Sequence, residues 1–424
     1  MDQKKRVLSG MRPTGRLHIG HYFGALENWI KLQNDAQHEC FFFVADWHAL
    51  TSDYADTSQV AQNTIEIATD WLAAGLDPAK CTMFIQSSVP EHAELNLLLS
   101  MVTPLGWLER VPTYKEALDN VQDRDLHTYG FLGYPVLQSA DIVIYDADLV
   151  PVGEDQVAHI ELTREIVRRF NFFYGFRIKP ELFTRGNIEF LARHVHDTKR
   201  LPSNGKSFTE EQKRDLANSL RKDALEQGVD NFLDSTKDYG HLFSRSTILR
   251  EPGSQLTQSP RIPGTDGRKM SKSYGNFISL SEPDESIRTK SRAMMTDPAR
   301  KRRTDPGNPD VCPVYDWHKL FSPPETLAWS AEGCRTAGIG CIECKTAMAD
   351  NLIKWIEPIR VRREEYAAQP AMVLRMLDDG SAKARETAQK TMSRVREAIF
   401  NWKEKREEFA GPVAPSNKNV PVGE

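Results

Sequence analysis

Hydrophobic positions along the first half of the chain come in short continuous runs separated by amphipathic stretches. "RVLSGM" reads as a strand and "HYFGALENWIKLQ" as a helix with one apolar face. "ECFFFVADWHAL" reads as a second, buried strand. "SQVAQNTIEIATDWLAAGL" reads as a helix closed by Gly75 and followed by Pro78. "KCTMFIQS" gives another strand, "AELNLLLSMVT" a helix, and "DIVIYDADLVPVG" a strand entering a loop. The helix "DQVAHIELTREIVRRF" follows. Short apolar strands between helices of this length predict an α/β fold with a parallel, Rossmann-like sheet. Its ligand crevice belongs at the carboxyl ends of the strands.

The pattern then changes. Residues 1–183 form the expected catalytic unit, and 184–246 read as an inserted subdomain, with "TEEQKRDLANSLRK" a polar helix. Residues 247–279 return to the catalytic unit through the Gly/Pro-rich loop "SPRIPGTDGRKMSKSYGN". Residues 280–412 read as an α-helical C-terminal domain, and 413–424 as a flexible tail.

Composition narrows the class. The chain has 424 residues, 40% hydrophobic and 27% charged, with net charge −4. That is ordinary for a globular protein and leaves no global basic field, so any nucleic-acid contact must be local. No run approaches about 18 apolar residues, which predicts no membrane span. No signal peptide is visible, and the expected location is cytoplasmic. Cys40 and Cys81 sit in apolar strands and read as packing.

Two short motifs carry candidate chemistry. In "GMRPTGRLHIGHYFGAL" a strand, a turn and a helix start put His18 to His21 at a helix N-terminus. That position favours anions, and Gly20 lets a nucleotide approach the backbone. Alone, the pair His18 and His21 is equally an ordinary surface feature. "GRKMSKS" places Lys269 and Lys272 on a loop with glycine and serine, suited to clamp polyphosphate or simply to lie in solvent. There is no P-loop pattern.

His18-Ile19-Gly20-His21 together with Lys269-Met270-Ser271-Lys272-Ser273 resembles the paired signature of class I aminoacyl-tRNA synthetases. "FLGYPVLQSADIVIYDADLVPVGEDQ" and "VADWHALT" look like the tryptophanyl branch of that class. The resemblance implies ATP with Mg²⁺, L-tryptophan and tRNA(Trp) as ligands, and a homodimer with an anticodon-binding C-terminal domain. It implies catalytic roles for His18, His21, Lys269 and Lys272. It implies nucleotide contacts from Arg12, Pro13, Thr14, Gly20, His21, Gly153, Glu154, Asp155, Lys269, Met270, Ser271, Lys272 and Ser273. Arg12 stands where many relatives carry Gln. It implies an amino-acid pocket of His48, Tyr134, Gln138, Asp141 and Gln156, with Asp141 accepting the indole N–H. The Tyr134, Gln138, Asp141 spacing also fits tyrosyl enzymes, so tyrosine stays open as the alternative. A binder without activity and an adenylyl transferase without tRNA are further alternatives that the intact motifs disfavour.

Two features lie outside these motifs. Arg300, Lys301, Arg302 and Arg303, and likewise Arg360, Arg362 and Arg363, read either as phosphate contacts or as solvated charge. Cys312, Cys334, Cys341 and Cys344 give the spacing C-x21-C-x6-C-x2-C. Four thiolates suit either a structural Zn²⁺ or a [4Fe–4S] cluster. Resemblance to an iron–sulfur-containing bacterial branch of the family implies the cluster, although the first interval here is one residue shorter.

Overall fold

The computed structural model describes residues 4–120, 125–194, 201–202, 206–256 and 262–410. The expected tail therefore lies outside the described residues.

Five strands form one parallel sheet in the order β3-β2-β1-β4-β7. They are β1 (Lys5–Met11), β2 (His38–Val44), β3 (Cys81–Ile85), β4 (Leu149–Val152) and β7 (Gly253–Leu256). β1 and β2 pair along their full length, from Lys5 opposite His38 to Met11 opposite Val44. β2 reads as a continuous apolar run because both sheet faces are covered. On one face Trp29 stacks on Phe42 at 4.6 Å, and on the other Phe41 stacks on Tyr145 at 5.0 Å. The strand order reverses between β1 and β4, which puts the ligand crevice beyond Met11 and Val152.

Two segments differ from their expected form. "ADWHAL" leaves the strand and forms the helix Asp46–Asp53. "DIVIY" is no strand: Asp141 to Val143 end the buried helix Tyr129–Val143, and only Leu149–Val152 is extended. The C-terminal end of this helix, from Ser139 on, is buried without a polar face, so its apolar run looks like a buried strand. The same helix aligns Tyr134, Gln138 and Asp141 on one side.

The inserted segment has its own small core. β5 (Phe176–Ile178) pairs antiparallel with β6 (Phe243–Arg245). Phe190, Leu191, Leu216, Leu220 and Phe232 pack beneath them. This hairpin starts before residue 184, so the subdomain takes its first strand from the end of the helix Val157–Gly175.

The C-terminal helices share the core of the sheet domain. Cys341–Ala367 packs on the helix Val60–Ala74, and Pro370–Phe400 lies along the edge strand β3. That contact is backbone-close, because a Cβ on Gly380 would sit 1.8 Å from the Met83 carbonyl oxygen. Ser381 Oγ accepts from the Ile85 N–H at 3.2 Å. Covering an edge strand this way removes a template for unwanted strand pairing. Among the described residues no helix is long and apolar enough to cross a membrane.

Gly380→Ala should therefore destabilise the protein by about 3 kcal/mol or more. Gly106, with open space around it, should accept Ala at little cost. Urea unfolding of the two variants beside the parent checks this.

Candidate active site

The crevice holds two cavities, of about 900 and 570 Å³. Arg12 and Gly24 line both. The larger takes in Pro13, Thr14, His18, Gly20 and His21 from the β1 turn and Lys269 to Ser273 from the Gly/Ser loop. The smaller takes in His48, Tyr134, Gln138, Asp141, Gly153 and Gln156.

His18 is the N-cap of the helix beginning at Ile19, with extended φ −121° and ψ 169°. Its carbonyl accepts from His21 N at 2.8 Å. Ile19 N–H is already taken by the Ile278 carbonyl at 3.1 Å. The anion site therefore relies on side chains more than a bare helix end would. Burial, then Lys272, lower the His18 imidazole to about 4. Burial, then His18 and Lys272, lower His21 to about 2. Both rings are thus neutral hydrogen-bonding groups at neutral pH. His18 Nδ1 is buried with no partner among the described residues, as a group kept for a ligand would be.

Lys272 reaches across from its loop. Its Nζ donates to the carbonyls of Thr14 at 2.8 Å and Gly15 at 2.9 Å. Gly15 takes φ +88°, which favours glycine at this turn. Burial lowers the Lys272 ammonium, and the charge of Asp70 works against that. The loop is laced by Asn276, whose Oδ1 accepts from Ser271 N at 2.8 Å and whose Nδ2 donates to Asp266 at 2.7 Å. Its role was not legible from sequence, where it is one more polar loop residue. Arg268 instead pairs with Asp266 and lies 4.4 Å over the Tyr274 ring.

The smaller cavity ends on a buried carboxylate. Asp141, 1% exposed, accepts from His48 Nε2 at 2.7 Å, Gln86 Nε2 at 2.8 Å and His92 Nδ1 at 2.5 Å. Burial works to raise its pKa, but the bonds from His48 and His92 outweigh it, so the carboxyl is lowered and ionised. Tyr134 OH is fixed by Thr113 Oγ1 at 2.6 Å and His159 Nε2 at 2.8 Å. Gln86, His92 and Thr113 were not singled out from sequence. The only signal was polar residues within apolar runs.

Some expected assignments shift. Gly153 lines the smaller cavity, not the larger, and Glu154 lines neither. The Asp155 side chain lies outside the described residues. The basic groups divide: Arg300 and Arg363 are buried, while Lys301, Arg302, Arg303 and Arg362 are exposed. Arg300 is buried and donates to the carbonyls of Arg303 at 3.1 Å and Ile339 at 2.5 Å. Arg363 is buried against Asp70 and Glu66. Arg362 donates to the Ala73 carbonyl, and Arg360 pairs with Asp284. Arg300, Arg360, Arg362 and Arg363 thus tie the chain together, and the two buried ones, Arg300 and Arg363, are not placed as surface phosphate contacts.

The cysteines gather near Arg300. Cys312 is the N-cap of the helix Pro313–Phe321, and Cys341 opens Cys341–Ala367 with Cys344 in its first turn. Arg300 Nη1 lies 3.8 Å from Cys334 Sγ. Burial, then Cys312, Cys334 and Cys341, push the Cys344 thiol up to about 12. The four are therefore electrostatic neighbours. Among the described residues, however, no three His, Cys, Asp or Glu side chains are arranged to hold a metal ion.

Comparison with known proteins identifies the class. A family model described as class I tRNA synthetases (W and Y) matches residues 1–194 and 214–357, and the chain is a member of that class. Tryptophan–tRNA ligase of Ralstonia nicotianae is 48% identical over 397 residues, spanning 93% of this chain and 98% of that protein. The Thermotoga maritima ligase is 44% identical over 395 residues, spanning 93% and 98%. Tryptophanyl-tRNA synthetase of Campylobacter jejuni, solved with ADP and tryptophan, matches with TM-score 0.69 at 27% identity, covering 93% of this chain and 99% of that one. Within the class the chain belongs to the tryptophan–tRNA ligases. Its reaction is the ATP-driven joining of tryptophan to tRNA, and tyrosine is not the favoured substrate.

Two outcomes follow. Lys272→Ala should slow adenylate formation by about a thousandfold and change the tryptophan KM by less than about threefold. Single-turnover pyrophosphate release measures the first, and exchange kinetics the second. The His18 shift also sets a pH slope. Its folded pKa, about 4, lies below the ordinary 6.5, so the unfolded chain binds the extra proton in between. Stability should fall as pH drops from 6.5 toward 4, and His18→Asn should flatten that part of the urea-midpoint curve.

Proposed function

We propose that the two cavities divide the substrates of the first step, ATP phosphates in the larger and the tryptophan side chain in the smaller. The observation that carries this is their meeting at Arg12, with cationic Lys272 and neutral imidazoles on one side and ionised Asp141 on the other. The carboxylate oxygen of tryptophan attacks the α-phosphorus, and the bond to the β-phosphate bridging oxygen breaks. His18 and His21 donate to phosphate oxygens. Lys269 and Lys272 take up charge on departing pyrophosphate, and Mg²⁺ travels with it. Gly20 and Asp155 lie near the nucleotide sugar and base. Arg12, Pro13, Thr14, Met270, Ser271 and Ser273 complete the nucleotide side. His48, Tyr134, Gln138, Gly153 and Gln156 enclose the amino acid, whose indole N–H goes to Asp141. The 2′-OH of the terminal adenosine of tRNA(Trp) then attacks the aminoacyl carbonyl and AMP leaves. Protein synthesis sets this work in the cytoplasm.

We further infer that Cys312, Cys334, Cys341 and Cys344 hold a [4Fe–4S] cluster, which would act as a structural staple for the anticodon-binding end. The donor set fits an anionic cluster. Two thiol-bearing segments begin at helix N-termini, whose dipole favours thiolate. Among the described residues Arg300 Nε is buried without a partner beside them. A single zinc needs its thiolates drawn tightly round one ion, whereas a four-iron cluster spaces them more widely. The homodimer is supported by an exposed apolar group on neighbouring elements: Leu97, Met101, Leu105 and Tyr129.

Anaerobically purified protein should contain iron and sulfide and show a brown chromophore. Stoichiometric zinc without iron would refute the cluster. Cys341→Ser should lower tRNA charging about tenfold or more while ATP–pyrophosphate exchange stays within about twofold. Equal loss of both activities would mean global unfolding and not a local staple.

A further inference from the structure

Behind Asp141 lies a polar chain that no step above uses. His92 donates Nδ1–H to Asp141 Oδ1 at 2.5 Å, and its Nε2 lies 2.6 Å from Tyr145 OH. Both rings are fully buried. They are walled by aromatic side chains, with Tyr145 5.0 Å from Phe41 and 5.4 Å from Phe84 between ring centroids. A buried polar group that touches neither substrate nor solvent costs stability unless it has a task or a full set of partners.

The partners define one proton arrangement. Asp141 is ionised and can only accept, so His92 must carry its proton on Nδ1. With the ring neutral, its Nε2 is then the acceptor for the Tyr145 O–H. Burial, then the charges of Asp141 and Glu91, push the Tyr145 phenol well above its ordinary range, so that proton stays on oxygen. The chain runs one way: Tyr145 O–H to His92 Nε2, and His92 Nδ1–H to Asp141.

This arrangement also counts the acceptor sites on Asp141. A carboxylate offers about four lone-pair sites. His48 takes one on Oδ2, His92 one on Oδ1, and Gln86 Nε2 bridges both oxygens at 2.8 and 3.0 Å. These contacts engage all four sites, so a ligand N–H that reaches Asp141 from the smaller cavity must share one of them, and His48 lines that cavity as well. We propose that Tyr145 and His92 are positioning residues, which hold the Asp141 carboxylate so that it can share one acceptor with a single ring N–H and thereby set selectivity for tryptophan. The proposal rests on the reading of Asp141 as the acceptor of the indole N–H.

Phenylalanine at position 145 keeps the ring packing and deletes only the donor. The test compares ATP–pyrophosphate exchange with tryptophan and with 3-benzothienylalanine, in which sulfur replaces the indole N–H. In Tyr145→Phe the kcat/KM ratio of tryptophan over the analogue should fall about tenfold, through the tryptophan KM, with the ATP KM unchanged. His92→Asn keeps an N–H directed at Asp141 and should lose less of that ratio than His92→Leu. An unchanged ratio in Tyr145→Phe, or equal losses for both amino acids, overturns the proposal. Asp141→Asn separates the two readings. If its ratio equals the parent's, the indole reading itself fails. If Asp141→Asn loses selectivity while Tyr145→Phe and His92→Leu keep it, only the relay fails.

Discussion

The structure depends on one buried carboxylate, Asp70. Its Oδ2 accepts the backbone N–H of Leu17 at 2.6 Å, and its Oδ1 accepts from Arg363 Nε at 2.6 Å. Arg363 also bonds Glu66, one helical turn away on Val60–Ala74. One charge thus ties the residue before His18, a core helix of the sheet domain and the long C-terminal helix. Taking Asp70 out of water is costly, and burial raises its pKa. The Leu17 N–H and the Arg363 guanidinium answer that cost together. Lys272 feels the same charge, which opposes the effect of its own burial. The geometry of the phosphate end is therefore coupled to the docking of the C-terminal helices through one side chain.

The two ends of the crevice work by opposite electrostatics. In the larger cavity the imidazoles are kept neutral and the charge comes from the lysines, whose loop reaches over the β1 turn. In the smaller cavity a full negative charge on a buried carboxylate is held by three donors. The first arrangement suits a ligand whose charge grows and then leaves. The second suits a neutral ring recognised by one N–H.

Legibility from the sequence followed range along the chain. The parallel sheet, the helices around it and both nucleotide motifs are local patterns, and their residues converge as expected on one crevice. Tyr134, Gln138 and Asp141 lie on one helix, so spacing alone brought them together. "DIVIY" misled because the buried end of a helix carries no periodic polar face. Arg300 and Arg363 misled because a run of basic residues looks solvated until the partners from distant segments are known. Gln86, His92 and Tyr145 gained meaning only from distances across the fold. No short-range pattern records such contacts.

The cover over β3 has a consequence for biosynthesis. The central strands emerge early, but β7, the last of the sheet, is made only at residues 253–256. The helix that seals the opposite edge ends at Phe400. Until nearly the whole chain has left the ribosome, β3 presents an open row of backbone donors and acceptors. A nascent chain of this design spends most of its synthesis with a sticky edge, and its folding is dominated by long-range closure. Premature termination anywhere before the Pro370–Phe400 helix would yield an aggregation-prone fragment, so translation and folding of this protein are committed to finishing together.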